Sequence, residues 1–160
     1  MGFTLKEVLL QNWDYAMDQE DWAPPLAAAL QGVNEEQALW KPKGEAGNSI
    51  WETVNHLAYY KERLLRNIKG LPPLPDLESN TATFTVTESG EEAWKAAVER
   101  LKNVHAELRE YIAALDEDGG PENKRTELLM SLVLHDSYHT GQIVLVRKLQ
   151  GSWPGQRSFD

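Results

Sequence analysis

Cysteine is absent from the chain, which excludes a disulfide framework and thiolate ligation; any transition-metal site has to be built from imidazole and oxygen. Long apolar runs are absent too, since no stretch approaches the roughly 18 uninterrupted apolar residues of a membrane-spanning helix. The opening residues MGFTLKEVLL carry neither the basic segment nor the long apolar run of an export signal. These absences predict a protein that is neither exported nor membrane-embedded, and they favour the cytoplasm. Positive charge is in short supply: 16 Lys and Arg stand against 25 Asp and Glu, a formal charge of -9. Such a balance repels phosphate backbones and anionic lipid surfaces, and argues against nucleic acid as a partner. Histidine is rare, with four among 160 residues, so the position of each is informative.

What is present is helical pattern over a length that suits one domain, residues 1–160, able to bury a core without covalent staples. Thr4-x-x-Glu7, Ser49-x-x-Glu52 and Ser89-x-x-Glu92 each fit the reciprocal capping box of a helix start. The first helix is expected over Leu5 to Gln19, broken by Pro24 and Pro25 before a second piece from Leu26 to Gln31 that stops at Gly32. A short turn, Asn34 to Trp40, is closed by Pro42. A second long helix spans Ile50 to Ile68, ended by Gly70 and the Pro72 and Pro73 pair. Residues 71–88, rich in Pro, Thr and Ser, form a long connection of the kind that is often functional. A third helix, Glu91 to Leu115, alternates apolar steps of three and four. The fourth follows a turn in which Pro121 suits a helix start, and runs to about Leu149. It is apolar on two sides, with Leu132, Ile143 and Val146 on one and Met130, Leu134, Val144 and Leu145 on the other. A helix apolar all round has to be covered all round, so it is either central or packed on a second subunit.

Chemistry concentrates on this fourth helix. His135 and His139 lie four residues apart, which puts both rings on one face about one turn apart, the spacing of helical His-x-x-x-His zinc sites. With about 100° per residue and Leu132 as zero, they fall near 300° and 340°, in the stripe that also holds Leu128 and Val146. His56 lies midway along the second helix, on the flank of a stripe that runs through Val54, Leu57, Lys61 and Leu64, where it could meet the pair at an edge of the core. Three neutral imidazoles would leave one position open, as in catalytic zinc. The competing reading is a pair of satisfied core side chains. His105, with no partner at ligand spacing, reads as a hydrogen-bonded boundary residue. Glu52 is either a base or the return arm of its capping box. Asp136 occupies the place of the general base in His-Glu-x-x-His, or serves packing. Gln142 either orients a ligand or faces solvent. Gly141 inside a helix costs about 1 kcal/mol relative to Ala and suggests a close approach by a neighbour.

The segments SIWETVNHLAYYKERLL around His56 and LHDSYHTGQIVLVRKLQG around His135 and His139 resemble the DinB/YfiT superfamily of metal-dependent enzymes across essentially the whole chain. The resemblance implies an all-α four-helix bundle of up-down-down-up type, often dimeric, whose three histidines, here His56, His135 and His139, hold zinc, nickel or a similar ion; Fe, Mn or Co would also suit such donors. Some members that resemble this chain are thiol S-transferases using bacillithiol, mycothiol or glutathione, and many others have no assigned reaction; on that resemblance the expected activity is thiol transfer to a small molecule, with hydrolysis equally compatible with the site. A metal-binding, stress-associated interaction module without turnover is the alternative.

Overall fold

The structure is a computed structural model that describes residues 2–44, 46–118 and 123–157. Among the described residues there is no strand. Six α-helices follow in order: α1 Leu5–Met17, α2 Leu26–Leu30, α3 Glu35–Leu39, α4 Ile50–Ile68, α5 Glu91–Ala113 and α6 Asn123–Leu149, with a 3₁₀ turn over Asn80–Phe84. The second long helix keeps its expected bounds. The first ends two residues early, and the expected turn around Asn34 is a short helix. Pro121 lies outside the described residues.

Two of the three expected capping boxes form, Thr4 with Glu7 and Ser49 with Glu52. The third does not: α5 starts from Gly90, at φ 100°, with no side-chain cap. A contact across the fold replaces it. Gly90 N donates to Glu35 Oε1 at 2.6 Å while Glu35 N donates to Glu91 Oε2 at 2.7 Å, so the starts of α3 and α5 satisfy each other's free amides. Asn34 and Gln37 supply an unanticipated local box for α3.

Pairings along the helices set the topology. Arg109 grips Asp14 with two bonds of 2.5 and 2.8 Å, and Lys6 N reaches Glu117 O, so α1 and α5 are antiparallel. Glu62 pairs with Arg100 and, farther along both helices, Lys69 pairs with Glu107, so α4 and α5 are parallel neighbours. His56 and Lys61 of α4 meet His135 and Asp136 of α6 at 2.9 and 2.6 Å; Ile50, Trp51 and Val54 at the start of α4 cluster with Ile143 and Val146 near the end of α6, and Leu64 and Leu65 with Leu129 and Val133 near its start, so the two helices are antiparallel. The result is a four-helix bundle of up-down-down-up order, α1, α4, α5, α6. Parallel neighbours explain the long connection after α4. The chain must return along about 28 Å of helix before α5 can begin, and it does so against α4 itself, bonding Arg66 to Pro72 O, Tyr60 to Asn80 and Asn55 to Thr85 O in turn.

The core has two apolar clusters. One gathers α2, α3 and the first half of α4 around Trp51 and Trp94; the other gathers Leu9, Trp13, Leu64, Leu108 and Leu129. A polar group is buried as deeply as either. Lys61, expected in an apolar stripe, has 0 % exposure and donates from Nζ to the equally buried Asp136 at 2.6 Å. His105 is correspondingly buried and not a boundary residue: it stacks on Trp13 with centroids 4.4 Å apart, and Nε2 donates to Trp13 O. Its Nδ1, 3.8 Å from Asp136, has no hydrogen-bond partner. Burial raises the Asp136 carboxyl against the opposing pull of Lys61.

On α6 the inner residues Leu129, Val133, Ile143 and Val146 are buried, whereas Leu134, Tyr138, Leu145 and Leu149 are exposed. Gly141 shares this outer face, and a Cβ added there would meet nothing within 4 Å. The close approach expected at Gly141 is not made within the chain.

Candidate metal centre

Residues 79 positions apart in sequence are brought into contact between α4 and α6. The rings of His56, His135 and His139 form a near-equilateral triangle, with centroids 4.8, 4.8 and 4.6 Å apart. One nitrogen from each lies within 4.8 Å of the others, and the three make a group that could hold a metal ion. His56 and His139 are buried and His135 is half-buried, as the helical wheel of α6 anticipates. Leu128, assigned to the same stripe, is instead 46 % exposed, because the core gives way there to an open cleft.

Neighbouring groups orient the rings. The single hydrogen of the Thr83 hydroxyl goes to Asn80 O at 2.6 Å, so Thr83 Oγ1 must accept from His56 Nδ1, also at 2.6 Å. The neutral His56 ring therefore carries its free lone pair on Nε2, which faces His135 Nε2 at 2.9 Å. In the same way His139 Nδ1 donates to Gln142 Oε1 at 2.7 Å, which leaves Nε2 as its free donor atom. Gln142 is thereby an orienting residue and not a solvent-facing one. Bonds of this kind to the remote ring nitrogen are what set tautomer and direction in imidazole ligands. The donor set fits a divalent ion: the free lone pairs of His56 and His139 and the third uncharged ring, His135, meet within reach of one another, with no cation among them.

The protonation states agree. Burial, reinforced by the His139 and His135 rings, lowers His56 from the ordinary value to about 3. Burial, then His139 and Lys61, lowers His135 to about 4. Burial also lowers His139, against the bond to Gln142. All three are neutral at pH 7, the form in which imidazole binds metal.

Two partners of His56 had no signal in the sequence. Thr83 and Phe84 come from the 3₁₀ turn, and Phe84 stacks on the imidazole at 3.9 Å and 12°. Their segment lacks helical period, and only its path back along α4 places them. Glu52 keeps its capping role and pairs with Lys41 at 2.7 Å. Asp136 points into the core toward Lys61, so it does not occupy the place of a base beside the histidines.

The cluster opens onto a cleft of about 1210 Å³ between α4 and α6, roofed by the returning connection. Tyr60, Ser131, Tyr138 and Gln142 offer hydroxyl and amide groups there, Leu64, Leu128 and Leu132 offer apolar wall, and none of the described lining residues is a carboxylate.

Fold and cluster together define an up-down-down-up helical bundle with a three-histidine group at the head of a cleft. The profile of the DinB superfamily matches residues 24–143, and the chain belongs to that superfamily. No curated protein and no solved structure matches it.

Proposed function

We propose that the chain is a metal-dependent enzyme that holds one divalent ion, zinc or nickel in first place, through His56, His135 and His139, and acts on a small molecule in the adjoining cleft. The observation that carries this is the convergence of three neutral imidazoles, two with their remote nitrogens committed elsewhere, on one point of a cleft wall. Such an ion, when bound, lowers the pKa of a water or thiol and so provides a nucleophile at neutral pH. The residues of the chain supply the rest: Thr83 and Gln142 hold two rings in register, Phe84 shields His56, and the leucine wall excludes water from one side of the substrate.

Thiol transfer is favoured over hydrolysis by the lack of a carboxylate in the described lining. A low-molecular-weight thiol loses its proton near neutrality with modest help, whereas water asks more of a general base. That same lack keeps a metal-binding module without turnover as the second reading. A homodimer through the outer face of α6 completes the proposal, because a stripe of Leu134, Tyr138, Leu145 and Leu149 is unusual on a surface that stays wet.

Metal analysis of protein purified without an affinity tag tests the centre. Close to one ion per chain is expected, and H135A or H139A should abolish it. Full retention in both variants overturns the assignment. For the reaction, a cobalt-loaded sample should change its spectrum on addition of bacillithiol or glutathione; turnover of an electrophile without any thiol would mark a hydrolase.

A further inference from the structure

The cleft does not end at the histidines. Arg63 lies seven residues after His56 on α4, and Lys124 lies eleven before His135 on α6. Both offsets fall within about 20° of a whole number of turns, so each cation shares the helix face of its histidine. Because α4 and α6 run in opposite directions, both are carried toward the same end of the cleft, about 10 Å from the cluster for Arg63 and about 16 Å for Lys124 along the helix axes. Both line the cleft, as does Arg125.

The charge of this end is not that of the molecule. The chain carries a formal -9, yet the described lining holds Arg63, Lys124 and Arg125 and no Asp or Glu. Among the described residues neither Arg63 nor Lys124 makes an ion pair. Lys124 is moreover in the first turn of α6, which contains no acidic residue. A cation there opposes the helix dipole, an arrangement that a bound anion relieves. Between the two ends lies the apolar wall of Leu64, Leu128 and Leu132.

We infer that the cleft takes an elongated carboxylate: an acid group held at Arg63 and Lys124, an apolar middle along the leucines, and the reacting atom at the histidine cluster about 10 Å away. The last element rests on the metal-centre reading above. Arginine suits the acid end because its fork matches a carboxylate with two parallel bonds.

Calorimetric titration of zinc-loaded protein with 8-mercaptooctanoate and with 8-mercaptooctan-1-ol tests this, with octanoate and octanol as thiol-free controls. At low ionic strength the acid should bind at least tenfold more tightly than the alcohol of equal length, and added salt should shrink that preference. In the R63A/K124A variant the preference should fall below twofold while metal content stays that of wild type. Equal binding of acid and alcohol to wild type, no binding of the acid up to millimolar concentration, or a preference that survives the double substitution would each overturn the inference. Failure of the metal centre reads differently: the protein then holds no zinc and the thiol adds nothing, yet octanoate is still preferred over octanol.

Discussion

At the scale of single residues, the second nitrogen of an imidazole decides what the first can do. His56 gives its Nδ1 hydrogen to Thr83, and His139 gives its own to Gln142. Replacing either acceptor with an apolar isostere leaves the ring free to turn and to change tautomer. T83V and Q142L are each expected to weaken zinc binding tenfold to a hundredfold with the helical circular dichroism unchanged, as measured by competition with a chromophoric chelator; affinities equal to wild type would show that the two bonds do not matter. The three histidines were legible because four histidines in the chain leave few combinations and two of them share a helical face. Gln142 was legible only as one of two options, since spacing places it near His139 without saying which way its amide points. Thr83 and Phe84 were not legible at all. Neither belongs to a periodic segment, and their contact with His56 exists only once the connection lies against α4.

Among the elements, helix starts were read well where the cap is local and badly where it is not. Ser49 and Glu52 close a box within four residues, whereas the first turn of α5 is satisfied by Glu35, 55 residues earlier. A pattern three residues wide cannot see that. The two-sided apolarity of α6 was visible from composition alone, and the structure resolves it into an inner stripe in the core and an outer stripe in solvent. Leu134, Tyr138, Leu145 and Leu149 fall within about 60° on the helical wheel, and Gly141 beside them leaves space for a second helix to come close. If that face joins two copies, L134E/L145E places like charges across the contact and should convert a dimer to a monomer by light scattering at micromolar concentration. A wild-type protein already monomeric there would remove the basis for the proposal.

For the whole molecule, acid is the revealing condition. Burial, then Lys61 and Arg109 nearby, against the bond to Trp13, lowers His105 to about 2, while an unfolded chain titrates histidine near 6.5. The contribution of a neutral His105 to stability is thus complete above pH 6.5 and is lost progressively as pH falls toward 2, because the unfolded state alone takes up the proton. By pH 5 this one residue costs on the order of 2 kcal/mol. H105F, which keeps the stack on Trp13 and removes the titrating group, should flatten the acid limb of a denaturation series by about one proton. A slope identical to wild type would mean that His105 is not the group responsible. The up-down-down-up order also has a consequence in time. His56 is made before its two companions, the first of which follows 79 positions later. On a ribosome adding about 5–20 residues per second, the nascent chain exposes a solitary imidazole for several seconds before the triangle can close. An ion held by all three rings would therefore be captured only after α6 has been made, from whatever the surroundings then offer.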